Sequence, residues 1–244
     1  MKETLFPIIE ENFTTLLRAG AFDITGTQLQ PMSAYKWSVL QALAKELRIE
    51  GIIASGIRAL KDDVALPREC ISNTKEEVFG TENVKLYNIF TSRKLKKIKD
   101  EERHSMDTSI ETLDLLDIIV ANADEIITND MSLIGIISLG RYLRTQGHRV
   151  DFVKLNNWID KLGIKQITSF LCSMLIELFD FEVQELEFMN RRYVNPMIHY
   201  RRQVQTVLAH KVGFRSVSRL NIALLETTSY HLGRLKQNIT NIEE

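Results

Sequence analysis

The stretch from Ile167 to Phe179 constrains this chain most. Ile167, Phe170, Leu171, Met174, Leu175, Leu178 and Phe179 recur at steps of three and four residues, a spacing that winds onto one side of an α-helix but scatters over both faces of a strand. A stripe of that width needs an apolar surface to pack on, and the rest of the chain offers the same period. Two-residue alternation and the hairpin dipeptides Asn-Gly and Asp-Gly are absent throughout. The expected fold is all-α: a compact multi-helix bundle of roughly eight to ten helices.

Leu5, Ile9, Phe13, Leu16 and Leu17 make a first helix, with Pro7 early enough to be tolerated and Gly20 read as its stop. Ser33 is placed to cap a second helix bearing Trp37, Leu40, Ala44 and Leu47. Ile52, Ile53, Ile57 and Leu60 make a short third, in which Gly56 permits close packing, before Leu66-Pro67 breaks the pattern. Residues 68–106 are polar, with one exposed helix expected around Asn83 to Lys99 and a loop at His104-Ser105. Periodicity resumes at Leu113, Leu116, Val120, Ala123 and Ile127. It continues, after a cap at Asn129 or Asp130, through Leu133, Ile136, Ile137 and Leu143. Asp151 should cap the helix of Leu155, Trp158, Ile159 and Leu162, and Gly163 should end it. Trp158 and Phe170 are expected to be buried, since their helices meet across a very short connection. Two or three basic helices fit the remainder, one of them carrying Tyr200, Val204, Val207 and Leu208. The organisation expected is a helical module at 1–67, a polar connection at 68–106 and a helical module with a basic tail at 107–244, in one compact body.

An apolar share of 44% and a charged share of 26% fit neither a disordered chain nor a membrane protein. Cys70 and Cys172 stand far apart and outside any metal-ligand spacing, so neither a disulfide framework nor a zinc site is expected. The first residues lack a secretory apolar region, which points to the cytoplasm and away from the membrane.

Motifs for phosphate or nucleophilic chemistry are missing. Neither a Walker loop nor GxGxxG occurs, the nearest approach to GxSxG lies within Gly51 to Gly56 at the wrong spacing, and HExxH is absent. The five histidines never pair at metal-ligand spacing, and His199 and His210 lie among arginines as surface groups. No catalytic, cofactor-binding or metal-binding residue is therefore assigned. Glu111, Asp114 and Asp117 share a helix face, which is either a solvated surface opposite Leu113, Leu116 and Val120 or a pair of carboxylates for a divalent cation. From Arg191 to Lys236 nine Lys or Arg accompany one acid, Glu226. Arg191, Arg192, Arg201, Arg202, Lys211, Arg215 and Arg219 are the candidate phosphate or partner contacts, with Tyr193 and Tyr200 available to stack on bases. Residues 107–130 hold seven acids and no Lys or Arg, so attraction to the basic region within the fold is the simplest role for both.

Two stretches resemble a family of uncharacterised nucleotidyltransferases of gut Bacteroidetes. One is Leu16-Leu17-Arg18-Ala19-Gly20 followed by Ser33 to Leu60 and Leu66-Pro67, similar to the family's helical lead-in. The other runs from Gly140-Arg141-Tyr142-Leu143 through Val150-Asp151-Phe152, Trp158 and Leu162-Gly163-Ile164 to Leu178-Phe179, similar to its helical C-terminal region. The resemblance implies nucleotide transfer, in which a Gly-Ser or Lys-Gly turn holds the triphosphate and an Asp-x-Asp pair binds magnesium. This chain has neither turn and no Asp-x-Asp, the nearest string being Asp180-Phe181-Glu182, so no functional residue carries over. The first reading is a non-catalytic helical interaction or accessory protein with an unknown protein partner and no cofactor. A cryptic or degenerate nucleotidyltransferase comes second, and a nucleic-acid-binding accessory third.

Overall fold

In the computed structural model the residues described are 5–66, 89–105, 108–128 and 131–211. Among them are nine α-helices and no strand. They are α1 Leu5–Phe22, α2 Ala34–Glu46, α3 Glu50–Ala59, α4 Ile89–Arg103, α5 Ile110–Thr128, α6 Leu133–Gln146, α7 Phe152–Leu162, α8 Lys165–Phe179 and α9 Met197–Lys211. The protein is all-α, as the periodicity implies.

Several helix boundaries follow from capping chemistry. The Ser33 hydroxyl accepts from Lys36 N at the start of α2, and Asp151 Oδ1 accepts from Lys154 N at 2.9 Å at the start of α7. Gly163 ends α7 in the left-handed region at φ 72°, which a residue with a Cβ adopts only with strain. The cap of α6 is Ser132, whose hydroxyl accepts from Gly135 N at 3.2 Å. Asn129 and Asp130 lie outside the described residues, as do 67–88 and with them the first part of the helix expected at Asn83 to Lys99.

The helices group into two units, one containing α1, α2, α3 and α9, the other α4 to α8. In the first, α1 crosses α3 with backbone against backbone. A Cβ built on Gly20 would lie 1.9 Å from Ile52 O, and one on Gly56 would lie 2.0 Å from Leu16 O. Gly20 is thus an interior crossing residue of α1, which continues to Phe22, rather than the stop read from the sequence. The loop between α1 and α2 is pinned by a reciprocal pair: Asn12 Nδ2 donates to Gln30 O, and Gln30 N donates to Asn12 Oδ1, both at 2.8 Å. Helix α9 comes from the far end of the described chain yet packs on α1 and α2. Its Tyr200 is 1% exposed and shares a 2.8 Å hydroxyl–hydroxyl hydrogen bond with Thr14.

In the second unit α8 is the core helix. Eleven of its fifteen residues are buried, among them Thr168, Ser169, Cys172 and Ser173 in addition to the whole apolar stripe. A helix buried on most of its circumference must satisfy its small polar side chains locally. Thr168 donates to Ile164 O at 2.9 Å, and Ser173 Oγ accepts from Tyr193 N at 2.8 Å. Trp158 and Phe170 are buried, and Phe170 meets Tyr193 edge-on with ring centroids 5.2 Å apart. Helices α5 and α6 are tied by buried Asn122, whose Nδ2 donates to Ile118 O and, at 3.0 Å, to Gly135 O.

Candidate functional site

Three carboxylates are grouped near the start of α5. Leu113, Leu116 and Val120 turn inward, which places Glu111, Asp114 and Asp117 together on the opposite side, three residues apart. Each carboxylate has a partner from another element. Lys99 of α4 donates to Asp117 Oδ2 at 2.7 Å, and Arg149, in the turn after α6, reaches Glu111 at 2.7 Å. Tyr142 of α6 donates its hydroxyl proton to Glu111 O at 3.0 Å and lies in hydrogen-bonding reach of Asp114. The cations that answer this acidic face are therefore Lys99 and Arg149, supplied by α4 and by the turn after α6.

Partial burial pushes the Asp114 carboxyl above its ordinary value, and the negative charges of Asp117 and Glu111 add to that, against Lys99 and the Tyr142 hydrogen bond. Burial, then Asp114 and Glu111, push Tyr142 up to about 12. Asp114 as a residue is exposed, so solvent screens much of this repulsion. Its folded-state pKa lies above the unfolded one. The folded state therefore binds the proton more tightly, and stability falls as pH rises through the interval between the two values. Asp114→Asn removes that cost, and the amide keeps an acceptor for Tyr142. We expect the variant to gain about 0.2–0.5 kcal/mol at pH 7, with the gain shrinking as pH approaches 4, read from urea midpoints. A loss of stability at pH 7 would show the Asp114 carboxylate to be favourable as it stands.

Chemically, this face holds three carboxylates turned to three separate partners. Among the described residues no group of three or more His, Cys, Asp or Glu side chains is placed to hold a metal ion.

The candidate basic residues fall in different places. Arg191 and Arg192 are exposed in the second unit, where Arg192 lies 3.5 Å from Glu177. Arg201 and Arg202 are exposed on α9 in the first unit, where Arg201 lies 3.6 Å from Glu10 and Gln205 also reaches Glu10. The side chain of Lys211, and Arg215 and Arg219 altogether, lie outside the described residues. Tyr200 is not available for stacking, contrary to the sequence reading, because its ring is in the core and its hydroxyl is bound to Thr14. Tyr193 is half-buried against Phe170. Of the histidines, His199 is half-buried and His210 exposed on α9.

One polar centre escaped the sequence reading. Glu102, at the end of α4, is 7% exposed; its Oε1 accepts from Lys154 Nζ at 3.0 Å and from Ser109 N, just ahead of α5, at 2.9 Å. Beside it the Ser109 and Thr112 hydroxyls are bonded to each other, and Thr112 Oγ1 accepts from Asp151 N at 2.8 Å. One carboxylate thus joins the ends of α4, α5 and α7. A signal existed: Leu95, Ile98 and Glu102 are spaced three and four apart, so Glu102 continues the apolar stripe of its own helix.

Comparison with protein-family models, with curated proteins and with solved structures finds no match to this chain.

Proposed function

We propose that this chain is a non-catalytic helical interaction or accessory protein of the cytoplasm that works by binding another protein, and that it is a degenerate relative of nucleotidyltransferases. The observation that supports this reading is the internal commitment of the α5 carboxylates. Lys99 pairs with Asp117, Arg149 with Glu111, and Tyr142 stands within hydrogen-bonding reach of Asp114, so each carboxylate already has a partner within the fold. The all-helical build agrees with it, since the described helices offer packing faces rather than a strand-borne carboxylate pair. No helix among the described residues is long and apolar enough to cross a membrane, in keeping with a partner met in solution.

Affinity capture with the full chain, scored for both protein and nucleotide species, is the direct test, and a stoichiometric protein partner without nucleotide is the expected result. Calorimetry gives the quantitative arm: ATP, CTP, GTP and UTP in excess magnesium should each bind more weakly than about 1 mM, a −4 kcal/mol association at most. Micromolar binding that disappears in an Asp114→Asn/Asp117→Asn double variant would replace this reading with nucleotide transfer.

A further inference from the structure

Helix α9 completes a unit whose other helices lie at the opposite end of the described chain. It buries Tyr200, Val204 and Leu208 and packs on α1 and α2. Its seam with α1 is also polar. The Tyr200 hydroxyl meets Thr14, and Glu10 accepts from Gln205 Nε2 at 3.3 Å and lies 3.6 Å from Arg201. These hydrogen bonds join residues 186 and 195 positions apart. A contact so remote in sequence has the same chemistry whether its two helices come from one copy of the chain or from two.

The segment that enters α9 is short. Up to Tyr193 the chain is fastened to α8: Arg192 lies 3.5 Å from Glu177, Tyr193 N donates to Ser173 Oγ at 2.8 Å, and the Tyr193 ring meets Phe170 edge-on. From Met197 onward it is α9. Between the two stand Val194, which is 73% exposed, then Asn195, also exposed, and Pro196. Asn195 holds φ 54°, in the left-handed region, directly ahead of the proline. A proline ring crowds the residue before it and favours extended backbone there. A side-chain-bearing residue in the left-handed region is also held at a cost. Extension of 194–196 relieves both.

We propose that α9 is an exchangeable helix: residues 194–196 open to extended backbone, and α9 of each copy docks on α1 and α2 of a second copy of this chain. The reciprocal dimer repeats the Tyr200–Thr14 and Gln205–Glu10 contacts in both first units, so it needs no docking surface beyond the one that already receives α9. Closed monomer and exchanged dimer then differ chiefly at the hinge and in the entropy of association. A strained hinge tips that balance toward the dimer as concentration rises.

Light scattering of the full chain, refolded from urea at increasing concentration, reads the dimer fraction, which should grow with concentration. Exchange itself is read by refolding two full-length forms together, an isotope-labelled one carrying Glu10→Cys and an unlabelled one carrying Arg201→Cys. A short bismaleimide crosslinker should join position 10 of the labelled chain to position 201 of the unlabelled one in the dimer, as identified by mass spectrometry. Asn195→Gly, which adopts φ 54° without cost, should lower the dimer fraction about threefold or more. Asn195→Val, a β-branched residue that resists this conformation, should raise it. A chain still monomeric at about 1 mM, a dimer without the crosslink between labelled and unlabelled chains, or a dimer fraction indifferent to both hinge substitutions would overturn the proposal.

Discussion

Gly56→Ala should cost more than about 4 kcal/mol and abolish the packing of α1 on α3. Helix propensity alone argues the opposite, because alanine in a helix interior is better than glycine by about 1 kcal/mol. The geometry decides between them. The new methyl carbon would lie 2.0 Å from Leu16 O and 2.8 Å from Leu16 C, both backbone atoms of α1 with no side chain to swing aside. Relief would require the two helices to move apart along a crossing that buries Leu16, Leu17, Ile52 and Ile53. Gly20→Ala should behave alike, with Ile52 O at 1.9 Å and Gly56 N at 2.6 Å. Gly26→Ala is the control: nothing lies within 4 Å of its Cβ, and the change should stay within about 0.5 kcal/mol. Urea unfolding followed by circular dichroism checks all three. A Gly56→Ala protein as stable as the parent would mean that the helices do not cross this closely.

Phe170→Ala should destabilise the second unit by about 3–5 kcal/mol. The ring is fully buried on α8, and its truncation also leaves Tyr193 without the edge-on partner that orients it. Val153→Ala, at a position 74% exposed on α7, should change stability by no more than about 0.5 kcal/mol. A loss below about 1 kcal/mol for Phe170→Ala, read from the same denaturant midpoints, would remove α8 from the centre of this core.

The features legible in the sequence are those set by neighbours along the chain. The stripe of α8 and the caps at Ser33, Asp151 and Gly163 each depend on residues within a turn or two, and each is found where the sequence places it. What escaped depends on segments that are remote in sequence. Gly20 has the local chemistry of a terminator, but the approach of Ile52 keeps it inside α1. Tyr200 sits among arginines, yet Thr14 draws it into the core. Glu102 stands in a run of alternating charge that reads as solvated surface, and it is Lys154 of α7 together with Ser109 N ahead of α5 that makes its burial tolerable. At the candidate site, the shared face of Glu111, Asp114 and Asp117 was readable from spacing. The identity of its partners was not, because Lys99, Tyr142 and Arg149 converge through tertiary packing alone. The basic residues looked like one block because they are close in sequence, whereas Arg191 and Arg192 stand in one unit and Arg201 and Arg202 in the other.

The Thr14–Tyr200 hydrogen bond joins residues 186 positions apart, which has a consequence for the order in which the chain is born. Helices α4 to α8 form a contiguous insert between α3 and α9, so they can pack on one another before α9 is made. Helices α1 to α3 emerge first but wait for α9, and at bacterial or eukaryotic elongation speeds the wait lasts about 10–40 s. During that interval the faces of α1 and α2 that receive Tyr200, Val204 and Leu208 stand open to solvent and to other nascent chains. Truncation before Met197 would make that exposure permanent, leaving the first unit without α9 and prone to aggregate while α4 to α8 remain in the chain.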